Sequence, residues 1–288
     1  MIIRFFVSAL ILLAAAKVEA GAPRPFVMDI AGEGRPIYLI PGLASPASVW
    51  DELAGHLQGR GYQTRVLTLA GFAGQPVLES DTFLPLVREA LAAELHAVEG
   101  PRPVVIGHSL GGFMALWLGA TESERVAGIV AIDGVPYLGA LGNPSATPED
   151  NAVQAEQMAV FMSSLTAEQY TAQNRMALAG MITDPDEVER IAIDGGHSDP
   201  ATVGRAVAEM LTIDLREAVG DIQAPVVVIQ AADSGATDGG RSAYAEQLAR
   251  IANLRHVVAS RGRHFVQIDD PEFVAAEVDR LLEALGDE

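Results

Sequence analysis

Five residues, Gly107-His108-Ser109-Leu110-Gly111, spell G-x-S-x-G. A serine hydroxyl is a weak nucleophile until a base takes its proton. The flanking residues suit that chemistry. An apolar run at 104–106 precedes the motif, and a helix-compatible apolar stretch at 111–119 follows it. A strand, a sharp turn and a helix are the context this motif requires. On such a turn the nucleophile is held in a strained conformation above the sheet edge, and small residues two before and two after it prevent clashes. Backbone N–H groups and the positive end of the helix then face any oxyanion formed at Ser109. The chain has no cysteine, which excludes disulfides, thiolate metal sites and a thiol nucleophile. It has no H-E-x-x-H pattern or clustered His/Asp spacing, and Gly32-Glu33-Gly34 lacks the Lys-Ser/Thr of a phosphate loop. The chemistry expected needs no metal and no cofactor.

The elements that must position Ser109 alternate between short apolar runs and helical periodicity. Strands are predicted at 26–30, 36–40, 65–69, 103–106, 126–132, 225–231 and 254–259. The turn-rich link 31–35 suggests that the first two form a hairpin. Helices are predicted at 48–58, at 82–98 with Asp81 as N-cap, at 111–119 and at 271–284, the last capped by Asp269 and Asp270. Fully apolar strands separated by helices imply an α/β fold, a mostly parallel, doubly wound sheet covered on both faces. Residues 136–216 break the rhythm. They hold no convincing strand and four helix-forming stretches, at 151–164, 167–179, 186–193 and 201–218. They read as a helical cap over the C-terminal edge of the sheet. The expected division is a core of 21–135 and 217–288 with the cap at 136–216. Residues 1–20 read as a secretory signal: Arg4, an apolar run at 5–16, and small residues before Gly21. That run is too short to span a bilayer.

The order of these motifs resembles the α/β-hydrolase superfamily, in its serine esterase and lipase form, over nearly all of the chain after residue 20. The resemblance rests on Gly107-His108-Ser109-Leu110-Gly111-Gly112, on Ile40-Pro41-Gly42-Leu43 and on Arg263-His264-Phe265. It implies the α/β-hydrolase fold with a helical cap inserted after the sixth strand, and a serine–histidine–acid triad. His264 follows the last strand by a short loop, and loops after parallel strands gather at one sheet edge, so His264 is the expected base. His56 and His96 read as solvated, His108 as packing beside the elbow, His197 as a cap-loop residue and His256 as a strand residue. The superfamily most often places the acid after the strand at 225–231, which points to Asp233, with Asp238 more remote. Asp133 is the alternative, and it is favoured because it ends a stiff apolar run while Asp233 begins a small-residue loop. The resemblance also implies two oxyanion donors, the N–H of Leu110 and that of Leu43. Where the family often has His-Gly, this chain has Pro41-Gly42, so a bracing side chain is replaced by a fixed φ.

Tyr137, Leu138, Met158, Phe161 and Met162 are the expected substrate-binding residues; Phe113 and Trp117 are taken as core. The reading favoured is an exported, secreted or periplasmic, serine hydrolase cleaving carboxylic esters of small to medium apolar substrates. A lactonase, aminopeptidase, C–C hydrolase or cofactor-free perhydrolase would use the same triad, and a binding protein without catalysis is a third class. A serine at the elbow argues against dehalogenase and epoxide hydrolase chemistry, which needs a carboxylate there. The formal charge of −19 argues against nucleic acid and anionic lipid as partners. The expected partner is a small-molecule ester, with no stable membrane insertion once the leader is removed.

Overall fold

The computed structural model describes residues 24–233 and 238–286; the leader expected at 1–20 lies outside them. Seven strands form one sheet: β1 (Phe26–Ala31), β2 (Pro36–Ile40), β3 (Gln63–Leu69), β4 (Val104–His108), β5 (Gly128–Ile132), β6 (Val226–Gln230) and β7 (Leu254–Val258). Their order is β1-β3-β2-β4-β5-β6-β7. Only β1 runs antiparallel to its neighbour. β4, β5 and β6 are buried along their whole length, as parallel strands covered on both faces must be.

The helices are α1 (Asp51–Gly59), α2 (Leu84–Ala97), α3 (Leu110–Thr121), α4 (Pro148–Ser163), α5 (Ala167–Met181), α6 (Pro185–Gly195), α7 (Pro200–Thr212), α8 (Asp238–Leu248), α9 (Val266–Asp269) and α10 (Pro271–Leu285). One face of the sheet packs Leu91 of α2, Met114 of α3 and Leu248 of α8. The other packs Leu53 and Leu57 of α1 with Val278 and Leu281 of α10. The sheet is therefore doubly wound, as its sequence pattern implies.

The expected hairpin does not form. β1 pairs with β3, and β3 lies between β1 and β2. The link from β1 to β2 contains Gly32 and Gly34 at φ +79° and +88°, with their open Cα faces against the carbonyls of Tyr62 and Gly61. Those carbonyls belong to the residues entering β3, so the link crosses the start of that strand. No side chain fits at either glycine.

Helices α4–α7 form the cap, inserted between β5 and β6. The insertion follows the fifth described strand and not a sixth, because only β1 precedes the parallel run in sequence. Its two ends adjoin: the N–H of Leu215 donates to the carbonyl of Pro136 at 3.1 Å. α4 and α7 lie close along each other, with Gly204 against Met162 and Ala159. Among the described residues no helix is long and apolar enough to cross a membrane.

Asp81 does not cap α2. The helix starts at Leu84, and Phe83 at its N-cap makes no side-chain cap bond. The acceptor comes from the cap instead. Glu209 of α7 takes the N–H of Phe83 at 2.8 Å and of Leu84 at 2.6 Å, satisfying two of the donors that every helix start leaves unpaired. Burial pushes the Glu209 carboxyl above the usual glutamate range, against those two bonds and Arg205, which pull it down. Glu209→Ala should cost about 1–3 kcal/mol, read as a fall in Tm. As pH rises through the ordinary glutamate range towards the raised value, the folded state keeps a proton that the unfolded chain has lost. This group's contribution to stability then falls. Glu209→Gln should abolish that slope in thermal unfolding followed from about pH 4 to pH 7.

Candidate active site

Ser109 stands between the end of β4 and the first residue of α3, at φ 54° and ψ −114°. Few residues other than glycine adopt this strained backbone. Its N–H donates to Ile132 O at 2.8 Å and its carbonyl accepts from Phe113 N–H at 2.9 Å, so strand β5 and helix α3 grip the turn from both sides. The small residues around it are forced by contact. A Cβ on Gly107 would run into the backbone of Gly111, and one on Gly111 into the carbonyl of Ile40.

Asp133 follows β5 directly and is the second non-glycine residue of the site at positive φ, 46°. Its N–H donates to Ile229 O at 2.7 Å. Its carboxylate is buried. Oδ1 accepts the N–H of Ala231 at 2.9 Å, and Oδ2 lies 2.6 Å from Nδ1 of His264. An ionised carboxylate only accepts, so Nδ1 carries the proton and Nε2 of the neutral ring keeps its lone pair. Asp233 is exposed at the rim of a cavity. Asp238 opens α8, and its side chain lies outside the described residues.

His264 is held by its neighbours in the loop between β7 and α9. Phe265 N–H donates to Met181 O at 3.2 Å. Arg263 donates its backbone N–H to Asp269 at 2.7 Å and its guanidinium to Ala179 O at 2.9 Å. Asp269 also takes the N–H and hydroxyl of Thr183, and Asp270 pairs with Arg261 at 2.9 Å. Asp270 stands at the N-cap of α10 as expected, its carbonyl accepting from Val274 N–H at 3.1 Å, but without a side-chain cap bond. Asp269 does not cap that helix, and both carboxylates fasten this loop. His108 is fully buried, and its Nε2–H donates to the carbonyl of His264 at 2.9 Å. Its ring lies 4.7 Å from that of His264 and 4.3 Å from that of Phe265. Burial pushes its pKa well below the usual histidine value, the neighbouring His264 imidazole adding to this, so it stays neutral.

The remaining histidines stand elsewhere. His56 contacts Asp279 at 3.0 Å and His96 contacts Glu122 at 2.9 Å, so neither is simply solvated. His256 bonds Gln230 at 3.0 Å, and His197 is exposed. No hydrogen bond among the described residues engages the N–H of Leu43 or of Leu110. A hydroxyl, an imidazole with an available nitrogen and a buried carboxylate thus share one sheet edge, with two unengaged N–H groups beside them. Such a set can activate an oxygen nucleophile and hold an oxyanion.

Residues 37–277 match the model of the Alpha/beta hydrolase family. The chain belongs to the alpha/beta hydrolase family. A pimeloyl-[acyl-carrier protein] methyl ester esterase of Aliivibrio fischeri (strain MJ11) is 25% identical to it over 248 residues, covering 85% of this chain and 92% of that protein. The enol-lactonase from Burkholderia xenovorans LB400 superposes with a TM-score of 0.74 at 18% identity, over 90% of this chain and 96% of that one. A thermophilic esterase from Thermogutta terrifontis gives 0.74 at 17%, over 90% and 93%. At such identities the structural likeness speaks for the shared fold.

This alpha/beta hydrolase has two cavities that meet at Ser109 and His264. The smaller, about 340 Å³, is walled on the core side by Leu110, Phe113, Val135 and Tyr244. The larger, about 560 Å³, lies beneath α5 and α7 and includes Leu43, Met162, Asn174 and Val207. Leu138 and Met210 border both. Of the expected substrate-binding residues, Leu138 and Met162 are therefore at a cavity, and three are not. Tyr137 is fully buried, its hydroxyl accepting from Asn151 at 2.7 Å. Met158 packs into the core where α4 meets α7. Phe161 is 50% exposed, since a neighbour of Met162 on a helix turns about 100° away from it.

Phe113, taken from sequence as core, is also a cavity wall. Tyr244 and Asn174 carried no signal in the sequence. The Tyr244 hydroxyl donates to Gly134 O at 3.0 Å, bracing the residue after Asp133. Tyr170, pushed up to about 12 by burial, stays protonated at the larger cavity. Gly111→Ala should fail to give folded protein, because its Cβ would collide with main chain of β2. Soluble yield and circular dichroism check this.

Proposed function

We propose that this protein is an exported serine hydrolase that cleaves carboxylic esters of small to medium apolar alcohols and acids. The observation that carries this reading is the 2.6 Å contact of His264 with buried Asp133, at cavities that His264 shares with Ser109. The ester assignment gains support from the A. fischeri relative, a methyl ester esterase by name. The division proposed is a leader at 1–20, a core at 21–135 and 217–288, and a cap at 136–216.

Ser109 is the nucleophile, His264 the base and Asp133 the acid that orients it. The Ser109 oxygen bonds to the ester carbon while His264 Nε2 takes its proton. The carbonyl π electrons move onto oxygen, where the N–H groups of Leu43 and Leu110 receive the charge. Collapse of this intermediate breaks the bond to the alcohol oxygen, which leaves with the proton from His264. Water then attacks the acyl-serine, giving its proton to His264 and releasing the acid as Ser109 recovers a proton. Throughout, Asp133 accepts from Nδ1 and steadies the ring each time it becomes positive. Both cavities are largely apolar, which suits hydrocarbon on either side of the ester.

Ser109→Ala should lose nearly all turnover of p-nitrophenyl esters and all labelling by a fluorophosphonate, with unchanged circular dichroism. Asp133→Asn should lower turnover by about 10³–10⁴-fold through the wrong ring tautomer, and Asp233→Asn should leave it near wild type. An Asp233→Asn loss as large as that of Asp133→Asn would reject this assignment of the acid. Secretion from a bacterial host should yield a protein whose N-terminal sequence starts at Gly21.

A further inference from the structure

Both cavities open on Ser109, and Leu138 and Met210 are the side chains, besides Ser109 and His264, that border the two. Met210 sits on α7 with unbranched freedom to adapt. Leu138 does not share that freedom, because it sits in a short 3-10 turn, Leu138–Ala140, whose neighbours are fixed. Tyr137 immediately before it is 0% exposed. The Tyr137 N–H donates to Gln247 at 2.9 Å, its hydroxyl accepts from Asn151 at 2.7 Å, and the Arg216 guanidinium lies 4.8 Å over its ring. Arg216 in turn donates to the carbonyls of Pro144 and Ala146. Gly139 lies under the Tyr137 hydroxyl, where a Cβ would come within 2.6 Å of it. Entry to the cap, exit from the cap and α8 thus converge on one tyrosine, and that tyrosine sets where Leu138 stands.

We propose that Leu138 is the specificity-determining divider of a two-chambered site, and that the buried Tyr137 is the positioning residue that holds it there. This rests on the hydrolase reading of Ser109 and deepens it. The substrate is a neutral ester carrying an apolar group on each side of the scissile bond, one limited by the 340 Å³ chamber and the other by the 560 Å³ chamber. Neutrality follows from the walls. Among the described residues no Arg borders either chamber, whereas Asp133 borders the smaller and Asp233 the larger. A substrate carboxylate would meet like charge from an aspartate in each chamber.

The test uses two ester series on the full-length enzyme: methyl esters of lengthening acids and acetates of lengthening alcohols, followed by acid release. The wild type should stop accepting length sooner in one series than in the other. In Leu138→Ala the first excluded ester of the shorter series should gain about ten-fold or more in kcat/KM, as expected when a wall of methyl groups is removed. Leu138→Phe should move the limit the opposite way. Tyr137→Phe, which keeps the ring and loses the hydroxyl contact, should shift the same limit as Leu138→Ala, through KM of the long ester and not through kcat of the short one. Equal limits in the wild type, or limits that neither Leu138 variant moves, would overturn the divider. A fluorophosphonate separates the two failures. If Ser109 is labelled and the limits stay fixed, the divider alone falls. If Ser109 is neither labelled nor able to hydrolyse any ester, the hydrolase reading falls and takes the divider with it.

Discussion

A carboxylate at the end of β5 and an imidazole beyond the end of β7, 131 positions apart in sequence, lie 2.6 Å from each other. That single charge-assisted contact presupposes most of the architecture. β5 and β7 must run parallel with β6 between them, so that their C-terminal ends share one edge. The chain after β5 must turn at once, which Asp133 does at positive φ. The strand between must offer something to the other carboxylate oxygen, and the N–H of Ala231 just beyond β6 does so. Short hydrogen bonds to an ionised group are about twice as strong as neutral ones, and here burial also removes water as a competing donor.

How much of this was legible depends on how local each cause is. The elbow was legible because its needs are met within five residues: glycine where helix backbone crowds the strand, and a hydroxyl at the bend. That His264 reaches the sheet edge where Asp133 ends β5 was legible from its order in the chain. The acid left Asp133 and Asp233 both open, because what separates their surroundings is tertiary: a backbone donor just beyond β6 and the grip of Ile229 on one of them. The first two strands were misread as a hairpin for the converse reason. A turn-rich link looks the same whether or not a later strand enters the gap. The cap residues divide for a third reason. Apolarity marked Met158, Phe161 and Met162 alike, but only the packing of α4 on α7 decides which side meets the cavity, the core or water.

The cap and the core are joined through backbone donors taken by carboxylates. Glu209, from the cap, accepts the leading N–H groups of α2. Asp269, from the core, accepts the N–H of Thr183 beyond α5 while also holding Arg263 next to His264. Arg263 reaches back to the end of α5 through Ala179 and Ile182. The imidazole-bearing loop is thus fastened to the cap as well as to the sheet, and the roof of the larger cavity and the position of His264 are set together.

The bond between Leu215 and Pro136 closes the cap's two ends into a single point on the sheet's rim. From the standpoint of β5 and β6, everything strung between those residues is one closed loop, whose length enters the entropy of closure only logarithmically. Evolution is free to recast the rest of the roof, by trading helices or changing their number, so long as the end of α5 still meets the His264 loop and Glu209 still meets α2. An engineer holds the same freedom, with a graft point that nature has already sutured.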